Sequence, residues 1–162
     1  MKKKKALFLT RAAVIGALYI VLTIISNMFG LASGVIQVRI SEALTILPVF
    51  TPAAVPGLFA GCILSNLLTG SAPWDILFGS LATLLGALGT FLFRKKPLLT
   101  PVFPIISNTL IVPFVLAKVY RVEEALSFLF LTVFLGEVIS AGIFGILLFK
   151  ILSKHKREIF KT

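Results

Sequence analysis

Two polar side chains stand in the middle of long apolar stretches of the sequence. Glu137 lies ten residues into the run that begins at Ser127, and Asn108 lies about ten residues before the end of the run that closes at Ala117. At 1.5 Å per helical residue, both would be roughly 15 Å deep in a membrane. A carboxylate there costs at least about 2.5–3.5 kcal/mol, so Glu137 should face protein or a water-filled cavity. We expect it to serve a substrate or proton site; the alternative is a partner for a buried Arg or for hydroxyls such as Ser140. Asn108 has a simpler alternative, because an amide also joins helices.

Further polar residues collect near the ends of the apolar stretches. Arg39 and Glu42 are three residues apart and can pair on one helical face, so a salt bridge and a ligand contact are equally good interpretations. Trp74 and Asp75 open one run, where they have an alternative role as interfacial anchor and helix cap. The candidate substrate-binding residues are Arg39, Glu42, Asn66, Trp74, Asp75, Asn108 and Glu137.

The residues that usually carry catalysis or bind metals are scarce. His155 is the one histidine and lies in a basic tail, and Cys62 is the one cysteine and lies in an apolar run, where a packing role is expected. These residues predict neither a metal site nor a histidine-based triad. No phosphate-binding G-x-x-x-x-G-K-[ST] motif is present. We therefore predict no catalytic residues and no cofactor, and we predict that the protein is not an enzyme.

The composition places these residues in a membrane. Of 162 residues, 58% are hydrophobic and 14% are charged, whereas soluble domains are about 45–50% apolar and about 25% charged. The net charge of +10 would fit nucleic-acid binding if the basic residues formed a continuous stripe. They instead form three blocks beside long apolar runs, which argues against nucleic acid and for a lipid bilayer.

Six apolar segments are long enough or close enough together to form membrane helices. The first begins after a basic start, as a signal peptide would, but its length, the early Arg11 and the spans that follow favour a membrane helix. The second is short and contains Pro48, so we expect a broken helix that turns near Pro52 into the third. Irregular backbone at membrane depth survives only where protein or water covers it, which makes this region a candidate part of a site. The sequence predicts an all-α integral membrane protein, a single transmembrane domain over residues 1–162, with spans at about 6–26, 41–51, 53–68, 74–93, 98–117 and 127–152.

The distribution of basic residues predicts the orientation. If six spans alternate from a cytoplasmic N-terminus, thirteen Lys and Arg lie inside and three lie outside. Cytoplasmic segments carry this excess. The outer three are Arg39, Lys118 and Arg121, and the inner ones include Lys161 in the C-terminal tail. Both termini are therefore predicted to be cytoplasmic.

Small residues mark faces where helices approach closely. Ala13 and Ala17, with Ala12 and Gly16 beside them, form one such face on the first span, and Gly57 and Gly61 form another on the third. Internal packing would explain either face. The first-span face also suits contact with another subunit.

The central third of the chain closely resembles the QueT family, and the likeness extends over essentially the whole chain. It rests on these segments: Arg39-Ile-Ser-Glu42-Ala-Leu, Leu47-Pro48, Thr51-Pro52-Ala-Ala-Val-Pro56-Gly57-Leu-Phe, Gly61-Cys62, Ser65-Asn66-Leu, Trp74-Asp75-Ile, Gly79-Ser80-Leu-Ala-Thr83-Leu, Asn108-Thr-Leu-Ile-Val and Gly136-Glu137. Members of this family are regarded as queuosine-precursor transporters, the substrate-binding S components of energy-coupling-factor (ECF) importers.

The resemblance implies six membrane helices, a substrate pocket toward the outer face, and a lid formed by the loop after the first helix. It implies an energizing module of two ATPases and a transmembrane coupling subunit, onto which Ala13 and Ala17 would dock as an A-x-x-x-A face. It also implies a bacterial cell membrane and a deazaguanine solute. For such a base, Glu137 or Glu42 would accept the two adjacent donors of the guanine-like edge, and Asp75 would bind an aminomethyl cation. Asn66 and Asn108 would read the carbonyl, and Trp74 would stack on the ring.

Two alternatives remain open from the sequence. One is a stand-alone secondary transporter in which Glu137 relays protons. The other is a membrane scaffold or assembly factor that binds no solute.

Overall fold

A computed structural model describes residues 2–32 and 36–159, except for the side chain of Arg157, and every regular element in them is helical. The α-helices are α1 (Lys2–Met28), α2 (Ala54–Leu68), α3 (Pro73–Leu92), α4 (Val102–Lys118), α5 (Leu126–Glu137), α6 (Gly145–Lys154) and α7 (Lys156–Ile159). A 3₁₀ helix spans Ile40–Val49 and a second spans Pro97–Leu99, while a π-helical turn at Val138–Phe144 joins α5 to α6. The predicted all-α class is confirmed. The tip of the expected lid, residues 33–35, and Lys161 lie outside the described residues.

Within residues 2–32 and 36–159, four helical stretches are long and apolar enough to cross a membrane. They are Lys2–Met28, Pro73–Leu92, Pro97–Lys118 and Leu126–Lys154. The helices Ile40–Val49 and Ala54–Leu68 are apolar but shorter. At about 2.0 Å per 3₁₀ residue and 1.5 Å per α residue they reach only about 20 Å each, less than the roughly 30 Å of a hydrocarbon core. The structure is thus that of an integral membrane protein with four membrane-length helices and two short apolar ones.

The 3₁₀ helix Ile40–Val49 is the centre of the bundle. Residues 41–48 are all buried, and the segment packs against α1, α2, α3, α6 and the π-helical turn. Pro48 lies inside it and supplies no backbone donor. Its neighbours shield the remaining polar backbone from lipid, as the sequence predicts for irregular backbone at this depth.

Glycines let α1 and α2 approach closely, and they determine which face of α1 is free. A Cβ on Gly57 would lie 2.6 Å from the carbonyl oxygen of Ala12, and one on Gly61 would lie 2.9 Å from that of Gly16. Ala13 and Ala17 point the other way and are exposed. The small residues of the first span therefore split between an internal face and an outer one.

The start of the 3₁₀ helix is fastened to the end of α5. A Cβ on Gly136 would lie 2.1 Å from the carbonyl oxygen of Gln37, so only glycine permits this contact. The backbone N–H of Arg39 donates to Ser140 Oγ at 3.1 Å, and that of Ile40 donates to Ser26 Oγ at 3.0 Å. Residues 37–39 are consequently held between α1 and the π-helical turn. Such turns occur frequently at functional sites.

Candidate functional site

A polar cavity of about 670 Å³ lies at one end of the bundle. It is bordered by the last turns of α1, α2 and α4, by the first turn of α3 and by residues 37–39. This end is opposite Lys2–Lys5, which begin α1, and Arg94–Lys96, which follow α3. The lining residues are Thr23, Asn27, Ala32, Gln37, Arg39, Asn66, Thr69, Gly70, Ser71, Asp75, Val112, Leu116, Tyr120 and Val122.

Asp75 is the carboxylate that faces this cavity. Its side chain is 5% exposed, and Oδ2 accepts a hydrogen bond of 2.8 Å from the hydroxyl of Tyr120. The same hydroxyl accepts a hydrogen bond of 3.2 Å from the backbone N–H of Ala72. Burial raises the pKa of Tyr120 above its ordinary value, so the phenol keeps its proton and donates at neutral pH. The alternative role of Asp75 as a helix cap is wrong, because Ala72 is the N-cap residue and no side chain caps α3.

Glu42 lies beneath the cavity in a closed polar cluster. It is 2% exposed, and its carboxylate accepts hydrogen bonds from the hydroxyl of Tyr19, from Thr83 Oγ1 at 3.5 Å and from Asn108 Nδ2 at 3.5 Å. Thr83 also lies 3.4 Å from the sulfur of Cys62, whose buried position agrees with the packing role expected for it. Protein groups thus already occupy both oxygens of Glu42.

Glu137 differs from Glu42 because one of its oxygens has no partner. The side chain is 8% exposed, and Oε2 is buried without a hydrogen-bond partner among the described residues. It lines a hollow of about 10 Å³ together with Gln37, Arg39, Asn108, Val112 and Val133. That space is about what one water molecule needs. A buried carboxylate oxygen without a partner is costly, so it implies a proton, a water molecule or a ligand.

Arg39 stands between these groups. It lines both the large cavity and the hollow, and it interacts electrostatically with Asp75, Glu42 and Glu137. A salt bridge with Glu42, one of the two interpretations, is not the arrangement found: Tyr19, Thr83 and Asn108 are the described residues bonded to that carboxylate. Ser140 does not bond to the unpartnered Oε2 of Glu137 either, and its oxygen accepts a hydrogen bond from the backbone N–H of Arg39.

Five of the seven predicted site residues line the two spaces, Glu42 lies in the closed cluster bonded to Asn108, and Trp74 lies elsewhere. Arg39, Asn66 and Asp75 line the large cavity, and Asn108 and Glu137 line the adjoining hollow. Trp74 is 59% exposed, stacks on Phe78 with ring centroids 6.0 Å apart, and lines a separate apolar groove of about 560 Å³. It does not contribute to the polar cavity.

Sequence reasoning missed three residues that shape the site. Tyr120 lies just beyond α4, outside any apolar run, so depth gave no reason to select it. Gln37 lies in the segment between α1 and the 3₁₀ helix, where an amide is ordinary. Tyr19 had a usable signal, because a phenol inside a membrane helix requires a hydrogen-bond partner when buried. No group of three or more His, Cys, Asp or Glu in the described part of the chain is arranged to bind a metal ion.

Comparisons with known proteins give one family. A family model described as "QueT transporter" matches residues 9–154. Over 97 residues the chain is 36% identical to a Lactococcus lactis subsp. cremoris protein named "Queuosine precursor transporter QueT". That match covers 59% of this chain and 56% of the relative, so it spans little more than half the length of either. No solved structure matches the chain.

Proposed function

The chain belongs to the QueT transporter family, and on that premise we propose that it is the substrate-binding S component of an ECF importer. Its solute is a deazaguanine precursor of queuosine, captured outside and delivered inward. ATP hydrolysis belongs to the partner subunits, and the chain itself is not an enzyme. All six apolar segments form one multi-pass domain in a bacterial membrane, and the chain's two ends face the cytoplasm.

The observation that carries this proposal is the convergence of carboxylates and amides on two adjoining spaces. Asn66 and Asp75 come from α2 and α3, whereas Asn108 and Glu137 come from α4 and α5. The larger space, about 670 Å³, is within the range of about 300–1,000 Å³ typical of small-molecule sites. Its position opposite the basic clusters supports an opening to the outer face.

Glu137 is the better acceptor for the guanine-like edge of the base. Such an edge presents two adjacent N–H donors, which one carboxylate accepts together. Glu42 is the weaker choice, because Tyr19, Thr83 and Asn108 already bond to it. Glu137 has a buried oxygen that a ligand would satisfy.

The rest of the solute occupies the larger cavity. Asp75 binds the aminomethyl cation, and Asn66 and Asn108 supply amide contacts to the carbonyl. Trp74 lies outside the cavity and is left out of this assignment. The hollow at Glu137 is too small for a ring, so binding requires Gln37 and Arg39 to move away. Movement of these residues agrees with the lid that the resemblance implies for the loop after α1.

The outer face of α1 is proposed as the docking surface for the coupling subunit of the energizing module. Ala13 and Ala17 are exposed, and α1 is the least buried of the four membrane-length helices. The opposite face is already used by the glycines of α2. Small residues on a free helix face permit the close approach that helix pairs in membranes use.

Solute identification tests the binding function. Protein purified in mild detergent should carry or take up a deazaguanine, detected by mass spectrometry and by an increase in melting temperature. Glu137→Gln should weaken binding more than tenfold without lowering the melting temperature of the ligand-free protein. Glu124→Gln, in an exposed loop, is the matched control and should bind as the wild type does. Equal affinity for all three proteins would remove Glu137 from the site.

Bulky substitutions on α1 test the partner assignment. Ala13→Trp with Ala17→Trp should abolish uptake in cells but preserve solute binding by the purified protein. Leu131→Trp, on the exposed side of α5, adds the same bulk elsewhere and should preserve both. Loss of binding together with uptake would instead show that this face is needed for the fold.

A proton-coupled secondary transporter is the second candidate function. The unpartnered Oε2 of Glu137 beside a hollow of one-water size favours it, because such a carboxylate is suited to exchanging a proton. Uptake that continues without the ATPase module but stops when the proton gradient is dissipated would establish it.

A further inference from the structure

We infer that Asp75, Asn66 and Tyr120 form a subsite for a primary ammonium group, in which Tyr120 is the positioning residue. This inference rests on the proposed function and names a determinant of solute choice within the same cavity. The subsite lies at the border where α2, α3 and the end of α4 meet.

Tyr120 holds one oxygen of Asp75 in place. Its hydroxyl donates to Asp75 Oδ2 at 2.8 Å and accepts from the N–H of Ala72 at 3.2 Å, so the phenol is bonded to both ends of the first turn of α3. The next residue, Arg121, has a left-handed backbone with φ of 51°, which is uncommon for a residue with a side chain. The chain therefore turns immediately after Tyr120, leaving its ring beside the cavity.

The other oxygen of Asp75 lies beside Gly79, which has no side chain to fill the space next to α3. A Cβ on Gly79 would lie 3.3 Å from Asp75 Oδ1 and 3.4 Å from Asn66 Nδ2. Both side chains thus share the space that the absent Cβ leaves free. Asn66 Nδ2 lies 3.7 Å from the sulfur of Cys62, and the amide oxygen of the same side chain can accept a hydrogen bond.

Asp75 and Asn66 both contribute acceptor oxygens to this border. The Tyr120 proton is given to Asp75, and the hydroxyl of Thr69 donates to the backbone carbonyl of Ser65 at 2.9 Å. A group that brings several donors and a positive charge fits such a border better than a neutral hydroxyl does. Arg39, the cation lining the same cavity, reaches toward Glu137 as well, so the two ends of a solute are distinguished by charge.

Two ligands that differ in one group test the subsite. The full-length protein would be titrated with an aminomethyl deazaguanine and with its hydroxymethyl counterpart, in wild-type form and as Tyr120→Phe. We expect Tyr120→Phe to weaken binding of the ammonium ligand roughly tenfold and binding of the hydroxymethyl ligand less than twofold, since the hydrogen bond that is lost orients a charged acceptor. Trp74 directly precedes Asp75 in the chain but faces the outer groove, so Trp74→Phe should alter neither affinity.

A second variant tests the subsite independently, in case Tyr120→Phe disturbs the fold. Gly79→Ala places a methyl group against Asp75 Oδ1 and Asn66 Nδ2, so it should reduce the preference for the ammonium ligand as Tyr120→Phe does. Equal weakening of both ligands by Tyr120→Phe would mean that the phenol merely supports the fold, and would overturn the inference. Unchanged preference in both variants would overturn it too. If the wild type binds neither ligand, the proposed function itself fails.

Discussion

Replacing Gly136 by alanine should disturb the site from a residue that does not touch the solute. The new Cβ would lie 2.1 Å from the carbonyl oxygen of Gln37, whereas ordinary carbon–oxygen contacts begin at about 3.3 Å. Residues 37–39 must therefore move by about 1 Å. Gln37 and Arg39 line both the cavity and the hollow, so the shift reaches the solute.

The expected loss of stability in Gly136→Ala follows from three effects. Overpacking costs about 1–3 kcal/mol, and weakening the Arg39 N–H to Ser140 bond adds about 1 kcal/mol. Replacing a helical glycine by alanine stabilises the helix by up to about 1 kcal/mol. The net loss is about 1–3 kcal/mol, which for a chain of this size lowers the melting temperature by roughly 2–12 °C. Solute affinity should fall about tenfold.

Gly142→Ala is the control, because Gly142 lies in the adjoining π-helical turn and its Cβ would meet only Ile105 at 3.7 Å and Val138 at 4.0 Å. Melting curves in detergent and solute titrations of the two variants should differ clearly. Gly142→Ala should be neutral or slightly stabilising. If Gly136→Ala matched it in both measurements, the close contact with Gln37 would not hold the segment as described.

Three further outcomes are expected. Gly61→Ala should lower the melting temperature, because the added Cβ would lie 2.9 Å from the backbone of Gly16 and separate α1 from α2; an unchanged melting curve would contradict this packing. Trp74→Ala should leave solute affinity within twofold in titrations, since the indole faces the outer groove; a tenfold loss would place it in the site after all. The phenol absorbance lost in Tyr120→Phe should titrate above the ordinary pKa of about 10, because burial raises the pKa of Tyr120. Its bond to Asp75 then stabilises the fold below the unfolded pKa and is lost as pH rises through the higher folded value; ionisation below pH 10 would be inconsistent with that bond.

The position of a polar residue within an apolar run is enough to identify several residues of the site. Asn108 and Glu137 each lie near the middle of an apolar run, and both line one hollow in the structure. Only groups that lipid tolerates poorly stand out in this way. Tyr120 lies where water is available, so nothing in the sequence distinguished it from an ordinary loop residue.

The sequence does not show which way a side chain faces around its helix. Trp74 and Asp75 are neighbours in sequence, yet one faces an outer groove and the other the polar cavity. Successive residues of an α-helix point about 100° apart, and both orientations suit the border of a membrane. Contacts with α2 and α4 decide which of the two faces inward.

The sequence by itself determined the helical class, the apolar segments and the asymmetry of basic charge, because lipid requires internally bonded backbone and charge is costly to bury. The tertiary structure alone decided that Ala12 and Gly16 face α2 while Ala13 and Ala17 face outward. It also decided that Glu42 is bonded by its neighbours, whereas one oxygen of Glu137 has no partner in the described part of the chain. In lipid both sides of a helix are apolar, so hydrophobicity cannot set its rotation. Close packing of small residues and pairing of buried polar groups set it instead.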